Sequence, residues 1–216
     1  MNASSPHEQE KEAVAEAALR LISSGMCVGL GTGTTVDHLL PRLPGHAHGV
    51  TYVASSPRTA AEARNLGLTV HPFEKLDHLD LTIDGADQVS PAHWLVKGGG
   101  GAHTREKIIA AAAECFVVIV SADKLVDELH PPIPLELLAF GLGATLRALN
   151  PAALRPVPPS PDGGVIADYH GPVDDPGALA ARLSSTPGVI DHGLFPPELV
   201  GQILVASGMQ VETLTH

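Results

Sequence analysis

The chain has 216 residues, of which 44% are hydrophobic, 17% charged and 3% aromatic, and its formal net charge is -11. Such a chain can bury a sizeable core as one large domain, or as one domain with a small satellite. The acidic balance argues against a nucleic-acid-binding surface, because phosphate neutralisation needs an excess of Lys and Arg. No apolar run approaches the roughly 20 residues that cross a bilayer, and the N-terminal stretch is polar, so we expect neither a membrane span nor an export signal.

The two cysteines, Cys27 and Cys115, lie inside apolar runs and have no CxxC partner. We therefore expect them to be buried reduced thiols, which fits a reducing cytoplasm. The low aromatic content predicts a core of Ala, Val, Leu and Ile, a composition typical of packed α/β layers.

The first 122 residues alternate between helical and strand patterns. Apolar residues from Val14 to Ile22 recur at helical spacing, which predicts a helix that begins near Glu8 and ends at Gly25. Strands alternating with helices favour a mostly parallel, doubly wound sheet with helices on both faces. The further predicted elements are a strand at 26–30, a helix at 34–43 shortened by Pro41, a strand at 50–54, a helix at 57–67, strands at 68–73 and 79–83, a helix at 104–115 and a strand at 116–122.

The sequence pattern changes near residue 130. Beyond it the predicted elements are short and are separated by Pro and Gly. We predict a main α/β domain over 1–129 and a small α+β domain over 130–203. The last strands, at about 204–216, are expected to return to the main sheet. The Pro-rich stretch at 154–164 is predicted to be a loop.

In a doubly wound sheet, ligands bind beyond the carboxyl ends of the strands, so the loops that follow strands are candidate sites. One such loop, "GLGTGTT" at 29–35, could hold an anion with its backbone N–H groups and the hydroxyls of Thr34 and Thr35. The alternative is a tight turn with Thr as a helix cap. The loop is not G-x-G-x-x-G, and Ser55 and Ser56 stand where a ribose-binding acid is expected, which disfavours a dinucleotide site.

Another loop, in "LTIDGADQV", places Asp84 and Asp87 around a glycine at the end of an apolar strand. The pair could be a turn with a self-bonding aspartate. An aspartate that leaves a strand at the ligand-binding edge would also meet a substrate hydroxyl, so both residues are candidate site residues.

The stretch "KGGGGAHTREK" combines Lys97, four glycines at 98–101 and Glu106 near the start of a helix. The glycines permit positive φ and let a ligand lie against main-chain donors. Glu106 could instead be a surface or capping-box acid. Among the histidines, His103 is singled out by its place beside the glycines. No Ser-His-Asp order or metal-ligand spacing is present, and carboxylates with a lysine suit proton abstraction next to a carbonyl.

These motifs occur in the order and spacing of ribose-5-phosphate isomerase of the A type, and the chain resembles that family over nearly its whole length. K-G-G-G-G-A followed by R-E-K, downstream of D-G-A-D, is the most specific part of the resemblance. The stretches that carry it are "GLGTGTT", "SSPRTAAEARNLGL", "LTIDGADQV", "KGGGGAHTREKIIA", "SADKLV", "PIPLEL", "DGGVIAD" and "PGVIDHGLF".

The resemblance implies interconversion of ribose 5-phosphate and ribulose 5-phosphate through a cis-enediolate, without metal or cofactor. It implies that Glu106 moves the proton between C1 and C2, and that Asp84, Asp87 and Lys97 assist ring opening, proton traffic on the oxygens and enediolate stabilisation. The implied substrate-binding residues are Thr32, Gly33, Thr34, Thr35, Gly85, Ala86, Gly98, Gly99, Gly100, Lys124 and Lys11.

The resemblance also implies a Rossmann-like α/β domain with a smaller α+β domain, assembled as a cytoplasmic homodimer or homotetramer that binds a sugar phosphate, with no nucleic-acid or membrane partner. The sequence departs from the family pattern at two positions of the implied site. Gln88 stands where the family usually has Glu after D-G-A-D, and Thr34 stands where Ser is common. The "SADK" segment, which carries Lys124, is one residue shorter than the commoner form.

Two other functions remain open at the level of sequence. Related α/β domains serve as sugar-phosphate sensors in transcription regulators, although this chain has neither a helix-turn-helix segment nor a basic patch. An acyl or CoA transferase on a similar scaffold would need a glutamate nucleophile and a larger groove. A pure sensor has no need of Glu106 beside Lys97.

Overall fold

The computed structural model describes residues 5–76 and 78–215. The helices within these ranges are α1 (Pro6–Leu19), α2 (Thr34–Leu39), α3 (Pro57–Asn65), α4 (His103–Ala111), α5 (Leu142–Ala148) and α6 (Pro176–Ser185). The strands are β1 (Cys27–Leu30), β2 (Thr51–Ala54), β3 (Leu79–Asp84), β4 (Gln88–Val89), β5 (Leu95–Val96), β6 (Ala113–Ser121), β7 (Ile133–Leu137), β8 (Ala152–Leu154), β9 (Val165–Tyr169), β10 (Val189–His192), β11 (Leu194–Phe195), β12 (Gln202–Ser207) and β13 (Gln210–Leu214).

A six-stranded sheet has the order β13-β12-β6-β3-β1-β2, and every neighbouring pair in it is parallel except β12 with β13. The mostly parallel α/β sheet predicted from the sequence is therefore confirmed. The last two strands do return to this sheet. Because β2, β1, β3 and β6 are parallel neighbours, the loops after their carboxyl ends lie along one edge of the sheet.

Helices cover both faces of this sheet. Leu81 and Ile83 of β3 lie in one buried cluster with Val14 of α1 and Leu39 of α2. Thr82 points the other way, since side chains alternate along a strand, and its hydroxyl donates to the Ile109 carbonyl of α4 at 3.0 Å. The parallel strands are thus buried on both sides, which explains their near-continuous apolar sequences.

The smaller sheets are antiparallel. One has the order β10-β7-β9-β8 and the other the order β11-β5-β4. Leu135 and Leu137 of β7 pack in a second buried cluster with Leu179 and Leu183 of α6. This α+β part agrees with the change of texture in the sequence.

The chain divides into two compact units. Unit 1 contains the described residues up to Ala86, Ile108–Lys124 and the described residues from Glu198 onwards, and unit 2 contains Asp87–Lys107 and Leu125–Pro197. This division passes between Asp84 and Asp87 and through α4. The sequence-based domain limits of 1–129 and 130–203 place 87–107 in the main domain, and they stay a prediction.

The strand predicted at 68–73 is wrong. Val70 makes a single isolated bridge to Tyr52, and Phe73–Lys75 forms a 3₁₀ turn. Pro72 has no N–H to donate to a ladder, so the apolar run cannot continue as a paired strand.

The helix predicted at 104–115 is too long. It ends at Ala111, and β6 begins at Ala113, where it pairs with Leu79. The alanine run carries no helix-ending signal, so the boundary is set by the pairing of β6 with β3. The helix predicted at 34–43 ends at Leu39 and continues as a 3₁₀ turn through Pro41, as expected.

Both cysteines are free, and each is partly buried rather than fully so. Burial raises the pKa of the Cys115 thiol, which keeps that thiol protonated near neutral pH. Within the described part of the chain, no helix has the length and apolar character needed to span a bilayer.

Candidate active site

The glycine loop after β1 lies beside Asp84, which ends the neighbouring strand β3. The Asp84 carboxylate accepts from the backbone N–H of Thr32 at 3.2 Å and of Gly85 at 2.7 Å. A side chain at Gly31 would put its Cβ 1.8 Å from the Asp84 Cγ, so position 31 must be glycine for the two strand ends to approach. Asp84 is only 1% exposed, and its two backbone donors orient the carboxylate.

Thr32 belongs to a cluster of hydroxyl groups in the same unit. Its Oγ1 lies 2.9 Å from Ser55 Oγ and 3.0 Å from Thr59 Oγ1. Gly33, at φ 151°, precedes α2 without a side-chain cap, so the alternative in which a threonine caps this helix is wrong. Thr34 and Thr35 are instead the first residues of α2.

The two lysines implied by the resemblance have different surroundings, both in unit 1. Lys124 follows β6, is 39% exposed and lies 3.3 Å from Asp123. Lys11 of α1 donates to Glu8 at 2.9 Å, and Glu8 also lies 2.9 Å from His38 of α2. The hydrogen bond from Lys11, followed by its charge and that of His38, holds the pKa of Glu8 below its ordinary value. Glu8 thus ties Lys11 to the helix that begins at the threonine loop.

Within the described ranges, one group of three side chains has potential metal-ligand atoms that all lie within 4.8 Å of one another: His7, Glu10 and Asp123. The His7 ring lies 3.5 Å from Glu10 and 3.9 Å from Asp123. Such pairs of charged side chains at the surface form weak ion pairs with one another in water, so we assign these three residues no role in catalysis.

In unit 2, the hairpin of β4 and β5 brings Asp87 and Lys97 to the same end. The Asp87 N–H donates to the Val96 carbonyl at 2.8 Å, directly before Lys97 in the chain. The Lys97 N–H in turn donates to the Gly193 carbonyl at 2.8 Å. The hairpin therefore fixes the backbone of both residues.

Lys97 and Glu106 form a buried ion pair. Their Nζ and Oε2 atoms are 3.3 Å apart, and the side chains are 3% and 4% exposed. The Lys97 ammonium also lies 5.5 Å from the centre of the buried Phe195 ring. Glu106 is in the first turn of α4, and its burial excludes the alternative of a surface acid.

The glycine run 98–101 is used in three different ways. Gly98 and Gly101 adopt φ of 108° and 72°. A Cβ on Gly98 would lie 2.7 Å from His103 Nδ1, and one on Gly99 would lie 3.2 Å from Asp87 Oδ1. The Gly99 N–H donates to Asp87 Oδ2 at 2.9 Å, so the run holds a carboxylate and is too crowded for a side chain at Gly98 and Gly99.

His103 is fully buried under the glycine run. Burial, reinforced by the positive charge of Lys107, lowers the pKa of His103 to about 3. The imidazole is therefore neutral near pH 7 and cannot supply a proton there.

Sequence reasoning missed three side chains around these groups. The buried Phe195 ring lies between two ammonium groups, since the Lys107 ammonium is 5.0 Å from its centre. Arg155, in the Pro-rich loop, donates to the carbonyls of Gly98 and Gly99 at 2.9 and 3.0 Å. These contacts join parts of the chain more than 50 residues apart, and no local pattern could reveal them.

Gln88 uses both ends of its amide, which the usual Glu could not do. Its Oε1 accepts from the His130 N–H at 2.9 Å, and its Nε2 donates to the His130 carbonyl at 2.8 Å. Gln88 is 7% exposed, and it fastens the backbone at His130 next to β7. The departure from the family pattern therefore replaces a charge by a neutral group with two backbone partners.

In unit 2, a buried carboxylate beside a lysine, with a further carboxylate on a backbone donor of a glycine run, can move protons on a small anionic carbohydrate. The fold and these groups place the chain in the class of α/β sugar-phosphate isomerases.

The comparisons with known proteins agree with this class. The chain matches the sequence model described as Ribose 5-phosphate isomerase A (phosphoriboisomerase A) over residues 51–209. It is 43% identical over 202 residues to ribose-5-phosphate isomerase A of Roseiflexus sp. (strain RS-1), covering 86% of this chain and 87% of that protein. A second sequence model, the DeoR C terminal sensor domain, matches residues 6–71.

Two solved structures are similar along the whole fold. Ribose 5-phosphate isomerase A from Methanocaldococcus jannaschii superposes with a TM-score of 0.91 at 31% identity, covering 97% of this chain and 100% of that one. A D-ribose-5-phosphate isomerase in complex with phospho-erythronic acid also gives 0.91 at 31% identity, with both chains fully covered. The chain belongs to the ribose 5-phosphate isomerase A family. It is an enzyme that interconverts ribose 5-phosphate and ribulose 5-phosphate in the pentose phosphate pathway.

Proposed function

We propose that the chain catalyses this isomerisation without metal or cofactor, through a cis-enediolate, with Glu106 as the base. Glu106 takes the proton from C2 of the open-chain aldose and returns it to C1, while a proton moves from the oxygen on C2 to the oxygen on C1. The observation that supports the proposal most is the buried pair of Glu106 and Lys97, because a carboxylate in a dry site with an adjacent cation can serve both the carbon and the oxygen of one substrate.

Lys97 stabilises the negative charge that develops on the enediolate oxygen. Its ammonium is held by Glu106 and by the face of the Phe195 ring, so it needs little reorganisation when that charge appears. Loss of Lys97 would therefore reduce turnover as well as affinity.

Asp84 and Asp87 assist ring opening and proton traffic on the substrate oxygens. Each carboxylate accepts a backbone N–H that orients it: Asp84 from Thr32 and Gly85, and Asp87 from Gly99. Such bonds fix the direction of each carboxylate, which suits a group that accepts a hydroxyl proton.

The phosphate and the remaining substrate oxygens are bound by backbone N–H groups, hydroxyls and lysines. Lys124 is 39% exposed and its ammonium lies 3.3 Å from Asp123 in its own turn, so an incoming phosphate can recruit it. Lys11 is linked through Glu8 to His38 of α2, and it is a weaker candidate for phosphate binding than Lys124. The binding residues proposed are Thr32, Gly33, Thr34, Thr35, Gly85, Ala86, Gly98, Gly99, Gly100, Lys124 and Lys11.

We further propose a cytoplasmic homodimer or homotetramer with no nucleic-acid or membrane partner. Leu138 and Phe140 support self-association, because these apolar side chains are 49% and 93% exposed on the single chain. Light scattering of the purified protein measures its mass directly, and a monomer at all concentrations would contradict the proposal.

The metal-free mechanism is tested by measuring ribulose 5-phosphate formation from ribose 5-phosphate in the presence of EDTA. Undiminished turnover is expected. Turnover that disappears with EDTA and returns with a divalent cation would overturn the metal-free mechanism and leave the isomerase assignment intact.

Residues 6–71 also match a sensor-domain model, but a purely sensory role is excluded because the chain is an enzyme of the ribose 5-phosphate isomerase A family.

A further inference from the structure

Arg155 is held in place by the antiparallel strands β8, which precedes it, and β9, which lies opposite it. It follows β8 directly, and its N–H donates to the Ile166 carbonyl of β9 at 3.0 Å. Its side chain forms a two-pronged pair with Asp168 of β9, in which Nε donates to Oδ2 at 2.9 Å and Nη2 donates to Oδ1. The guanidinium and the carboxylate are 16% and 15% exposed.

The remaining nitrogen of the guanidinium, Nη1, is directed at the glycine run. It donates to the Gly98 carbonyl at 2.9 Å and to the Gly99 carbonyl at 3.0 Å. Hydrogen bonds from two nitrogens to Asp168 and from the third to the glycine carbonyls require a planar guanidinium group, which a lysine cannot provide. The hydrogen bond to Asp168, opposed in part by burial, raises the pKa of Arg155 above its ordinary value, so the group is charged at every pH of interest.

These contacts fix which way the glycine amides point. The peptide bonds between Gly98, Gly99 and Gly100 are trans, so each carbonyl points opposite to the N–H of the next residue. The Gly98 carbonyl faces Arg155, and the Gly99 N–H on the other side donates to Asp87 at 2.9 Å. Because the Gly99 carbonyl also faces Arg155, the Gly100 N–H points away from Arg155.

We propose that Arg155 is a positioning residue for the isomerisation: it holds the two peptides so that Gly99 orients Asp87 and Gly100 presents its N–H to a substrate oxygen. In this proposal Arg155 acts through the two peptides and makes no contact of its own with the substrate. The Gly101 N–H also donates to the Gly98 carbonyl at 3.0 Å, so a turn within the run and Arg155 together fix that carbonyl, and the Gly99 carbonyl is fixed by Arg155. The inference rests on the proposed roles of Asp87 and the glycine run.

The test compares Arg155→Ala and Arg155→Lys with Arg182→Ala. Arg182 also lies in unit 2, where its guanidinium stacks at 5.0 Å on the Tyr169 ring, and its variant controls for the loss of an arginine. We expect kcat to fall at least 10-fold in both Arg155 variants while KM changes less than threefold, and Arg182→Ala to keep wild-type kcat. Millimolar guanidinium should restore part of kcat in Arg155→Ala and have no such effect on Glu106→Gln.

A wild-type kcat in both Arg155 variants would overturn the proposal. So would a loss of kcat that follows the loss of thermal stability and is not rescued by guanidinium. If Arg155→Ala does not fold, Arg155→Lys, which keeps charge and bulk, carries the same comparison at temperatures where circular dichroism shows it native.

A second readout does not depend on turnover. In protein labelled with ¹⁵N-glycine, amide exchange at Gly99 should become faster in Arg155→Lys than in the wild type, and unchanged exchange would contradict the clamp. Failure of the proposed chemistry is recognised separately. In that case the wild-type enzyme would lose turnover in EDTA, or Glu106→Gln would keep its kcat, whatever the Arg155 variants do.

Discussion

The Nζ atom of Lys97 lies 3.3 Å from Oε2 of Glu106, with both side chains nearly excluded from solvent. In this pair each residue offsets the desolvation of the other, so neither charge is stable there alone. The same pairing leaves a base and a cation side by side where a proton is to be moved next to a carbonyl. Stability and chemistry therefore depend on the same two groups, and variants can separate them.

Glu106→Gln should remove isomerisation without unfolding the chain. Glutamine keeps the shape of the side chain and loses the base, and general-base catalysis contributes about 10²- to 10⁴-fold. We expect kcat to fall by that amount while calorimetry still detects ribose 5-phosphate binding. A variant that retains more than a tenth of the wild-type kcat would show that another group is the base.

The pair also predicts non-additive stabilities. Lys97→Met and Glu106→Gln each leave one buried charge without its partner, and breaking a buried pair costs about 3–5 kcal/mol. The double variant removes both charges and should be more stable than the sum of the single changes indicates. Urea unfolding of the four proteins measures this coupling, and additive losses would mean that other contacts carry the stability of each charge.

The sequence predicted the loops of the site better than the packing around them. Asp84 could be picked out because it ends an apolar strand before a glycine, and Glu106 because it lies at the start of a helix after a glycine run, and both patterns are local in the sequence. Arg155 could not, because it lies in a Pro-rich loop and reaches the glycine run only through the pairing of β8 with β9. Contacts of this kind depend on tertiary structure, which periodicity and motif spacing do not encode.

The same distinction explains the errors in the secondary structure. An apolar run at 68–73 satisfied the local criteria for a strand, yet only Val70 finds a partner, in Tyr52. The division of the chain near Asp87 likewise has no counterpart in the composition, since 87–107 reads as a continuation of the preceding α/β pattern.

Gly31→Ala should damage the site through Asp84. The added Cβ would lie 1.8 Å from the Asp84 Cγ, so the carboxylate or the loop must move and the bond from the Thr32 N–H is lost. We expect a fall in kcat of at least 10-fold and a loss of about 1–3 kcal/mol in stability, as for other overpacked positions.

Gly143→Ala is the matched control for that change. Gly143 lies within α5, and its added Cβ would come no closer than 3.6 Å to Arg147, so this variant should be as active as the wild type and slightly more stable. Equal activity of Gly31→Ala and Gly143→Ala would contradict the role given to the close approach at Asp84.

His103 should make the stability of the chain depend on pH below 6.5. Burial, with the charge of Lys107, lowers the pKa of this group from 6.5 to about 3, so between these values the unfolded chain binds a proton that the folded chain does not. The stability that the neutral imidazole contributes is present in full above pH 6.5. It is lost as pH falls, and the loss is about 2 kcal/mol at pH 5. His103→Leu should therefore reduce the slope of unfolding free energy against pH by close to one proton between pH 6 and 4.5, whereas His48→Leu on the surface serves as the control. Urea unfolding across this range measures the slopes. If His103→Leu and the wild type have the same slope, the imidazole is accessible to protons in the native state and the buried neutral form is wrong.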